Sequence, residues 1–316
     1  MRLNRDRMEA SFLGLAIGDA LGAPVEFWAR GSFPPVTGYR RGGFFDVAPG
    51  EWTDDTAMAL CLARSLLECG KFDHRDQLER YLRWLERGEM SCRGKALGVG
   101  KTILRTLIRY RRTGRVYTDI DHERFSGNGS IMRLAPVAIF YADDVEKAVH
   151  YAALSSKTTH GSPIAVDACR LMAYILVQLY NGMGTKRLFS ADFTDELTTF
   201  FSSEPLHPAL QPIVEQHFRD KEAEHIKSTG YAVDTLEAAL WSLHRTESFR
   251  DALLTAVNLG NDADTVGAVT GQLAGALYGR HAIPKAWEKT LCDSDTIRRI
   301  AETLAAHAIQ SSEESL

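Results

Sequence analysis

Two short acidic segments are the residues of this sequence best suited to chemistry, and each stands directly before a helical pattern. They read Glu51-Trp52-Thr53-Asp54-Asp55-Thr56 and Asn258-Leu259-Gly260-Asn261-Asp262-Ala263-Asp264-Thr265. Brought face to face, the two segments would offer four aspartate carboxylates and the hydroxyls of Thr53 and Thr265. Such oxygen ligands suit hard divalent cations such as Mg²⁺ or Mn²⁺. Neither segment contains histidine or cysteine, which disfavours zinc.

The same residues have a simpler interpretation as helix caps. Thr53 is a good N-cap, Asp54 and Asp55 would complement the helix dipole, and Asn261 or Asp262 could do the same for the second helix. For either segment alone, capping is the better-supported interpretation. The pair favours a cation site, because a cap needs one oxygen per helix and the surplus acids would repel one another.

The segments that must position these acids have helical patterns. Apolar spacing predicts helices over residues 8–23, 56–68, 73–86, 164–180, 234–243, 249–258, 265–277 and 297–306. A long loop rich in proline and glycine is predicted over 31–50, and a basic turn over 109–115. No convincing alternation of apolar residues predicts a strand. We therefore predict one compact all-α domain over residues 1–316, with frayed ends at 1–7 and 310–316.

Composition limits the class of protein and the kind of partner. The 316 residues carry 37 Lys and Arg against 41 Asp and Glu, a formal charge of −4 without a basic block, so a nucleic-acid partner is not expected. Five scattered cysteines without CxxC spacing fit reduced thiols. Acids interrupt the N-terminal segment, unlike a signal peptide, and the apolar run 171–179 is short for a bilayer span. We expect a soluble cytoplasmic protein without a membrane partner.

Three further segments carry weaker signals. Residues 94–102 resemble a P-loop, but Lys95 stands where that motif needs glycine and no buried strand precedes it, which disfavours a triphosphate site. Gly127 and Gly129 flank Asn128 ahead of a predicted helix start, an arrangement that suits either a phosphate-binding turn or an ordinary one. His160 by itself is typical of a surface or hydrogen-bonding histidine.

Six motifs, taken in their order along the chain, have a specific resemblance. They are Gly18-Asp19-Ala20-Leu21-Gly22 with Glu26, Trp52-Thr53-Asp54-Asp55-Thr56, Gly127-Asn128-Gly129-Ser130, Thr159-His160, Gly230-Tyr231 and Gly260-Asn261-Asp262-Ala263-Asp264-Thr265. From about residue 9 to 278 this pattern resembles the ADP-ribosylglycohydrolase family. Residues 228–241 look most like its bacterial branch, typified by dinitrogenase reductase-activating glycohydrolase. Residues 95–100 depart from the family's more acidic and aromatic version of this segment.

The resemblance implies a compact all-α fold with two Mg²⁺ or Mn²⁺ ions in a central cleft. The implied metal ligands are Thr53, Asp54, Asp55, Asp262, Asp264 and Thr265. The implied catalytic residues are Glu26, on a loop beside the metals, Asp55 and Asp262. The residues that match the diphosphate and ribose segments are Gly127, Asn128, Gly129, Ser130 and His160, and Tyr231 matches an aromatic position near the adenine.

The implied reaction is hydrolysis of the N-glycosidic bond that joins ADP-ribose to a protein side chain, with arginine as the favoured acceptor. The partner would be an ADP-ribosylated protein and the product ADP-ribose. Which carboxylate guides the protons stays open. The alternatives are a non-catalytic ADP-ribose reader, a dimetal phosphohydrolase of nucleotides, and an immunity protein against an ADP-ribosylating toxin. The last would act by hydrolysis or by plugging the toxin's active site, for example with residues 1–7.

Overall fold

The chain consists of helices joined by loops, and the computed structural model describes residues 3–118 and 120–314. The α-helices of these residues are α1 (Arg5–Gly22), α2 (Asp54–Cys69), α3 (His74–Arg87), α4 (Lys101–Thr113), α5 (Ala135–Phe140), α6 (Val145–Lys157), α7 (Pro163–Tyr180), α8 (Thr185–Leu188), α9 (Ala191–Phe200), α10 (Gln211–Val214), α11 (Ala232–His244), α12 (Phe249–Val257), α13 (Ala263–Tyr278), α14 (Lys285–Thr290) and α15 (Ser294–Glu314). Short 3₁₀ turns lie at Ala23–Val25, Glu123–Phe125, Ile131–Arg133, Pro208–Leu210, His217–Asp220, Ala223–His225 and Arg280–Ala282. Within the described residues only two isolated bridges are extended pairs, Gly42 with Val47 and Gly127 with Tyr231. The prediction of an all-α fold is confirmed.

Helices α1 and α13 form the centre of the fold and run antiparallel in direct backbone contact. Small residues recur every fourth position on both helices, so the two backbones approach without side chains between them. A Cβ on Gly18 would lie 2.0 Å from the carbonyl oxygen of Gly267, and one on Gly14 would lie 2.1 Å from that of Gly271. Because real Cβ atoms cannot approach so closely, glycine is required at these crossings. Buried apolar side chains from α1 to α15 surround this pair in one continuous core.

Several predicted helix ends are confirmed by their cap geometry. The Asp73 carboxylate accepts hydrogen bonds from the backbone N–H groups of Arg75 and Asp76 at the start of α3. Gly70 and Gly88 follow α2 and α3 in the left-handed region, with φ of 66° and 68°. Glycine adopts this conformation without the strain that a Cβ would bring, so both helices end there.

One prediction about an individual segment is wrong, and two segments expected to fray are mostly helical. Residues 109–113, predicted as part of a basic turn, are the last residues of α4, whose buried face of Ile103, Leu107 and Tyr110 packs on the core. The ends expected to fray are largely helical, because α1 begins at Arg5 and α15 continues to Glu314. Arg7 donates to the carbonyl oxygens of Leu179 and Met183, so this part of the candidate plug is held by the fold. Residues 1–2 and 315–316 lie outside the described residues.

One described helix has the length and composition of a bilayer-spanning segment. Helix α7 has 18 residues with a hydropathy of 1.3, longer than the apolar run identified in the sequence. Within the fold 78% of that window is buried. Core helices of globular domains are buried to this extent. The length and composition of this one helix are therefore weak evidence for a membrane span.

Candidate active site

The first acidic segment is held in place by a carboxylate on another helix. Asp19 of α1 is fully buried and accepts four hydrogen bonds, from the backbone N–H and hydroxyl groups of Thr53 and Thr56. The hydroxyl distances are 2.9 Å from Thr53 and 2.6 Å from Thr56. Although Thr53 occupies the N-cap position of α2, its side chain makes no capping bond. The capping interpretation is therefore wrong for Thr53, whose hydroxyl belongs to the acid cluster.

The second acidic segment is held beside Glu26 by a reciprocal pair of backbone hydrogen bonds. Phe27 N donates to Asn261 O at 2.6 Å, and Asn261 N donates to Trp28 O at 2.7 Å. Phe27 and Asn261 both have positive φ, 68° and 56°, an uncommon conformation for residues other than glycine. Asp262 precedes α13 and, like Thr53, makes no side-chain capping bond. Two strained residues thus fix the turn that brings Glu26 to Asp262.

The two segments meet in a single cluster of carboxylates. Oxygen atoms of Asp19, Asp55 and Asp264 lie within 4.8 Å of one another, and so do oxygen atoms of Glu26, Asp262 and Asp264. Asp264 is common to both groups and is 2% exposed. The second group is reached from the surface through Asp262, which is partly exposed. The structure therefore brings the two predicted segments together around Asp264.

The neutral ligands and the remaining acid predicted from the sequence adjoin the same cluster. The Thr53 hydroxyl lies 3.3 Å from Asp55 Oδ2 and 3.4 Å from Asp264 Oδ2. Thr265 is buried next to Asp264, whose Oδ1 accepts from the Thr265 N–H at 2.9 Å. Asp54 is buried in the first turn of α2, close enough to Asp264 for that charge, after burial, to raise its pKa. All six residues predicted as metal ligands are thus gathered in one place.

Burial and mutual repulsion raise the pKa values of these carboxyls. Burial, and then the charges of Asp264 and Asp54, raises the pKa of Glu26 to about 11. The pKa values of Asp54, Asp55 and Asp264 lie well above the ordinary range, again through burial first and neighbouring carboxylates second. So many acids cannot all be ionised in a buried cluster without a positive charge among them. The cluster therefore takes up either protons or cations.

Hydrogen bonds from other residues partly offset burial at the two remaining acids. The pKa of Asp19 is raised by burial only to about 6, because the hydrogen bonds from Thr53 and Thr56 stabilise its ionised form. Burial raises the pKa of Asp262, and a hydrogen bond from Asn128 is the main interaction that opposes this rise. These two acids carry negative charge more readily than the other members of the cluster.

Two carboxylate oxygens supply the test of whether the cluster fits a cation. Glu26 Oε2 and Asp55 Oδ1 are buried without a hydrogen-bond partner among the described residues. Buried polar atoms are normally paired, and an unpaired carboxylate oxygen is costly. One such oxygen belongs to each of the two groups around Asp264. A hard divalent cation held by either group would pair with the free oxygen of that group. The set of oxygen donors therefore fits a site for such cations.

The segments predicted to bind substrate lie beside the acids and form one wall of the site, made of Gly127–Ser130, His160 and Tyr231. Gly127 pairs with Tyr231 in an antiparallel bridge, flanked by hydrogen bonds from Asn128 N to Gly230 O and from Ala232 N to Ser126 O. The Asn128 side chain donates to Asp262 Oδ2 at 2.6 Å. Asn128 therefore connects the glycine-rich turn to the acid cluster, and its own N–H is already occupied.

His160 and Ser130 complete this wall of the site. A Cβ on Gly129 would lie 2.6 Å from Cε1 and 2.9 Å from Nε2 of His160, so the imidazole lies directly against that glycine. Ser130 Oγ accepts from Ser156 Oγ at 2.9 Å. Burial, and then the charge of Arg133, lowers the pKa of His160 to about 3. His160, which by itself is typical of a surface or hydrogen-bonding histidine, is therefore a buried, neutral member of the site.

Two residues near the acids received no role from the sequence. Asp19 appears only within a matching motif, although it is the one charged residue between Leu13 and Val25, a signal that indicates a buried acid. Gly98 lies in the segment that failed as a P-loop, and a Cβ there would lie 2.1 Å from Asp54 Oδ1. With φ of 74°, Gly98 brings its backbone close to Asp54. No local pattern indicates that contact.

Most of this chain matches known proteins in sequence. The family model described as ADP-ribosylglycohydrolase matches residues 2–314. The ADP-ribosylarginine hydrolase Tri1 of Serratia proteamaculans is 38% identical over 299 residues, which are 95% of this chain and 79% of that protein. The ADP-ribosyl-[dinitrogen reductase] glycohydrolase of Rhodospirillum rubrum is 34% identical over 288 residues, 89% of each chain.

A solved structure is similar over almost the same span. The chain of an ADP-ribosylglycohydrolase-related protein complex superimposes with a TM-score of 0.83 at 41% identity. The match covers 96% of this chain and 98% of that one. Sequence and fold therefore agree over nearly the full length, and this chain belongs to the ADP-ribosylglycohydrolase family.

Proposed function

We propose that this protein is a metal-dependent hydrolase that removes ADP-ribose from a modified arginine side chain and so reverses mono-ADP-ribosylation of a protein. The observation that carries the proposal is the pair of buried carboxylate groups that share Asp264, with an unpaired oxygen in each. The names of the Serratia and Rhodospirillum relatives, which act on ADP-ribosylarginine and on ADP-ribosylated dinitrogen reductase, supply the substrate class.

The cofactors are two divalent cations, Mg²⁺ or Mn²⁺. Their proposed ligands are Thr53, Asp54, Asp55, Asp262, Asp264 and Thr265, of which Asp264 is common to both carboxylate groups. When bound, the cations supply Lewis acidity, which orients the ribose hydroxyls and lowers the pKa of a water molecule. With cations bound, the carboxyls whose pKa values are raised would be ionised.

The hydrolysis breaks one bond and forms another at the anomeric carbon of the ribose. The bond from this carbon to the guanidine nitrogen breaks as a water oxygen bonds to the carbon through an oxocarbenium-like transition state. The water proton passes to a carboxylate, and the departing nitrogen must receive a proton. Asp55, Asp262 and Glu26 are the carboxylates proposed for these proton transfers.

The rest of the wall is proposed to hold the ADP part of the substrate. The backbone of Gly127 to Ser130 and the imidazole of His160 face the diphosphate and ribose. Tyr231, paired with Gly127 and partly buried, adjoins the adenine. Asn128 acts through its hydrogen bond to Asp262 and keeps the diphosphate and metal subsites in register. The substrate is an ADP-ribosylated cytoplasmic protein, the product is ADP-ribose, and no nucleic acid or membrane takes part.

Release of free ADP-ribose from a protein ADP-ribosylated on arginine tests the proposal. We expect release with Mg²⁺ or Mn²⁺, none with chelator, and recovery when the cation is restored. Release of AMP or phosphate would instead indicate a nucleotide phosphohydrolase. Tight binding of ADP-ribose without release, on arginine and then on serine linkages, would indicate a non-catalytic reader.

Variants of the acid cluster identify the site of the reaction. Asp55→Ala and Asp262→Ala are expected to abolish release and to leave the helical content unchanged. Asp192→Ala is the matched control, because this acid on α9 has a side chain that is 80% exposed. Full turnover by Asp55→Ala at saturating Mg²⁺ would contradict the proposed site.

A further inference from the structure

Arg133 is a buried cation that no carboxylate neutralises among the described residues. Its side chain is 0% exposed, and its guanidinium donates to Gly129 O, to Ser155 O at 3.4 Å and to Thr159 Oγ1 at 2.7 Å. The face of Tyr81 lies 5.1 Å from the guanidinium carbon. A buried charge without a counterion is costly, so its retention calls for a reason beyond packing. Its hydrogen bonds reach the two segments that form the wall of the proposed substrate site.

A hydrogen-bond relay leads from Arg133 to the imidazole of His160. Arg133 Nη2 donates to Thr159 Oγ1, and that oxygen lies 2.9 Å from His160 Nδ1. Arginine has no acceptor atom, so the hydroxyl must accept from it and keep its own hydrogen for another partner. Thr159 is fully buried, and Nδ1 is the acceptor that the described residues place beside its hydroxyl. The hydroxyl therefore donates to Nδ1, which must be unprotonated.

The opposite tautomer would leave a donor unused in the interior. If Nδ1 carried the hydrogen, Arg133 and His160 would both donate to Thr159 Oγ1, and the hydroxyl hydrogen would have no acceptor among the described residues. Leaving a buried donor unpaired disfavours that arrangement by about 1 to 3 kcal/mol. The imidazolium form has the same defect and lies next to a second buried cation. In agreement, burial and Arg133 lower the pKa of His160 to about 3.

The other ring nitrogen is left to a ligand. Nε2 makes no hydrogen bond within residues 3–118 and 120–314. It is also not one of the fully buried polar atoms that lack a partner. It adjoins the glycine turn, with a Cβ on Gly127 falling 3.4 Å from it. A neutral imidazole protonated at Nε2 is a hydrogen-bond donor that does not change its charge near neutral pH.

We propose that Arg133 is a positioning residue that acts through Thr159 to hold His160 as the neutral Nε2–H tautomer, a fixed donor to an anionic oxygen of the ligand. The same guanidinium holds Gly129 O and places an uncompensated positive charge behind the turn, which favours a diphosphate in front of it. The tautomer is a property of the protein alone. Its use in binding rests on the proposed function, with ADP-ribose as the ligand.

Nitrogen-15 spectra of the histidine rings measure the tautomer directly. The His160 signals are assigned by their loss in His160→Asn. We expect Nε2–H with unshifted signals from about pH 5.5 to 8.5, because a pKa near 3 keeps the ring neutral throughout. Thr159→Val removes the relay and retains the shape, and it should give a mixture of tautomers. Thr159→Ser retains the hydroxyl and should keep the single tautomer. A wild-type ring protonated at Nδ1, or an imidazolium, overturns the proposal.

Binding of ADP-ribose to the metal-loaded protein, measured by calorimetry, tests the consequence. Thr159→Val and Arg133→Met should weaken binding roughly tenfold or more, the scale of one hydrogen bond to a charged group. A melting temperature for each variant separates lost folding from lost binding, and Thr159→Val serves if Arg133→Met does not fold. Unchanged affinity in a folded Thr159→Val variant with mixed tautomers overturns the positioning role. Failure of the wild-type protein to bind ADP-ribose overturns the proposed function and leaves the tautomer result standing.

Discussion

Asp19 on α1 and Thr53 at the N-cap position of α2, 34 positions apart, are joined by hydrogen bonds from both the N–H and the hydroxyl of the threonine to one carboxylate. Thr56 adds two more donors to the same group. The Asp19 carboxylate has no acceptor position left for another partner, because four donors already occupy it. Its function is to fix the start of α2, and with it Asp54 and Asp55, in the cluster.

Asparagine at position 19 should disturb this arrangement more than its size suggests. In Asp19→Asn one acceptor oxygen becomes an NH₂ group that faces the donors of Thr53 or Thr56. We expect the affinity for Mn²⁺ to fall roughly 10- to 100-fold, as when groups that orient metal ligands are changed. Calorimetric titration measures it, with Thr56→Ser, which retains its hydroxyl, as the control. Unchanged affinity would show that Asp19 does not order the site.

The position of Asp264 in both carboxylate groups predicts a difference in metal stoichiometry. Asp264→Asn should remove binding of both cations, because each group loses a member. Asp55→Asn should retain one equivalent, because the group of Glu26, Asp262 and Asp264 stays intact. Metal content after equilibrium dialysis measures this, with Asp192→Asn as the control. One retained equivalent in Asp264→Asn would contradict a shared ligand.

The raised pKa values of the acids predict how the metal-free protein responds to pH. Burial raises the pKa of Glu26 to about 11 and the pKa values of Asp54, Asp55 and Asp264 well above their ordinary range, so the folded protein keeps protons that the unfolded chain has lost. The free energy of unfolding therefore falls as pH rises through this range. The chelated protein should melt at a lower temperature at about pH 8 than at about pH 7, a window above the titration of unfolded histidines.

Mg²⁺ distinguishes these acids from other groups that titrate on unfolding. Added Mg²⁺ should raise the melting temperature, and more at the higher pH, because protons compete with the cation for the same oxygens. In Asp264→Asn both the pH dependence and the effect of Mg²⁺ should be smaller. A melting temperature of the chelated wild type that rises between these pH values would contradict the expected direction of the pH dependence.

The backbone contact between α1 and α13 predicts a large effect of a single methyl group. Gly18→Ala places a Cβ 2.0 Å from Gly267 O, and the two helices must separate. We expect a loss of about 2 kcal/mol or more in the free energy of unfolding. Metal affinity should fall too, because α1 carries Asp19 and α13 carries Asp264. Denaturant unfolding and Mn²⁺ titration measure the two effects.

Gly184→Ala is the matched control for this substitution. Gly184 has φ of −107°, and no described atom lies within 4 Å of the position that an alanine methyl group would take. Alanine should therefore change the free energy of unfolding by less than about 0.5 kcal/mol. Equal effects of the two substitutions would show that the helix contact is not the cause.

The sequence by itself determined most of the long helices and the chemistry that the acids could do. Periodic apolar residues, Asp73 and the glycines after α2 and α3 act over a few residues, so these helices were predicted close to their observed bounds. The ligand type followed from residue chemistry, because carboxylates and hydroxyls select hard cations wherever they lie. Helix α4 was not predicted, and its last residues were assigned to a turn, because its many arginines obscured a narrow buried face.

Only the tertiary structure decided which of these residues act together. That Asp19 binds Thr53, that Asp264 lies in two groups, that Gly98 adjoins Asp54 and that Arg133 orients His160 are contacts between distant parts of the chain. They depend on how closely α1 and α13 approach and on where the glycine turn then falls. No short-range pattern encodes such distances, because they are set by the packing of the whole core.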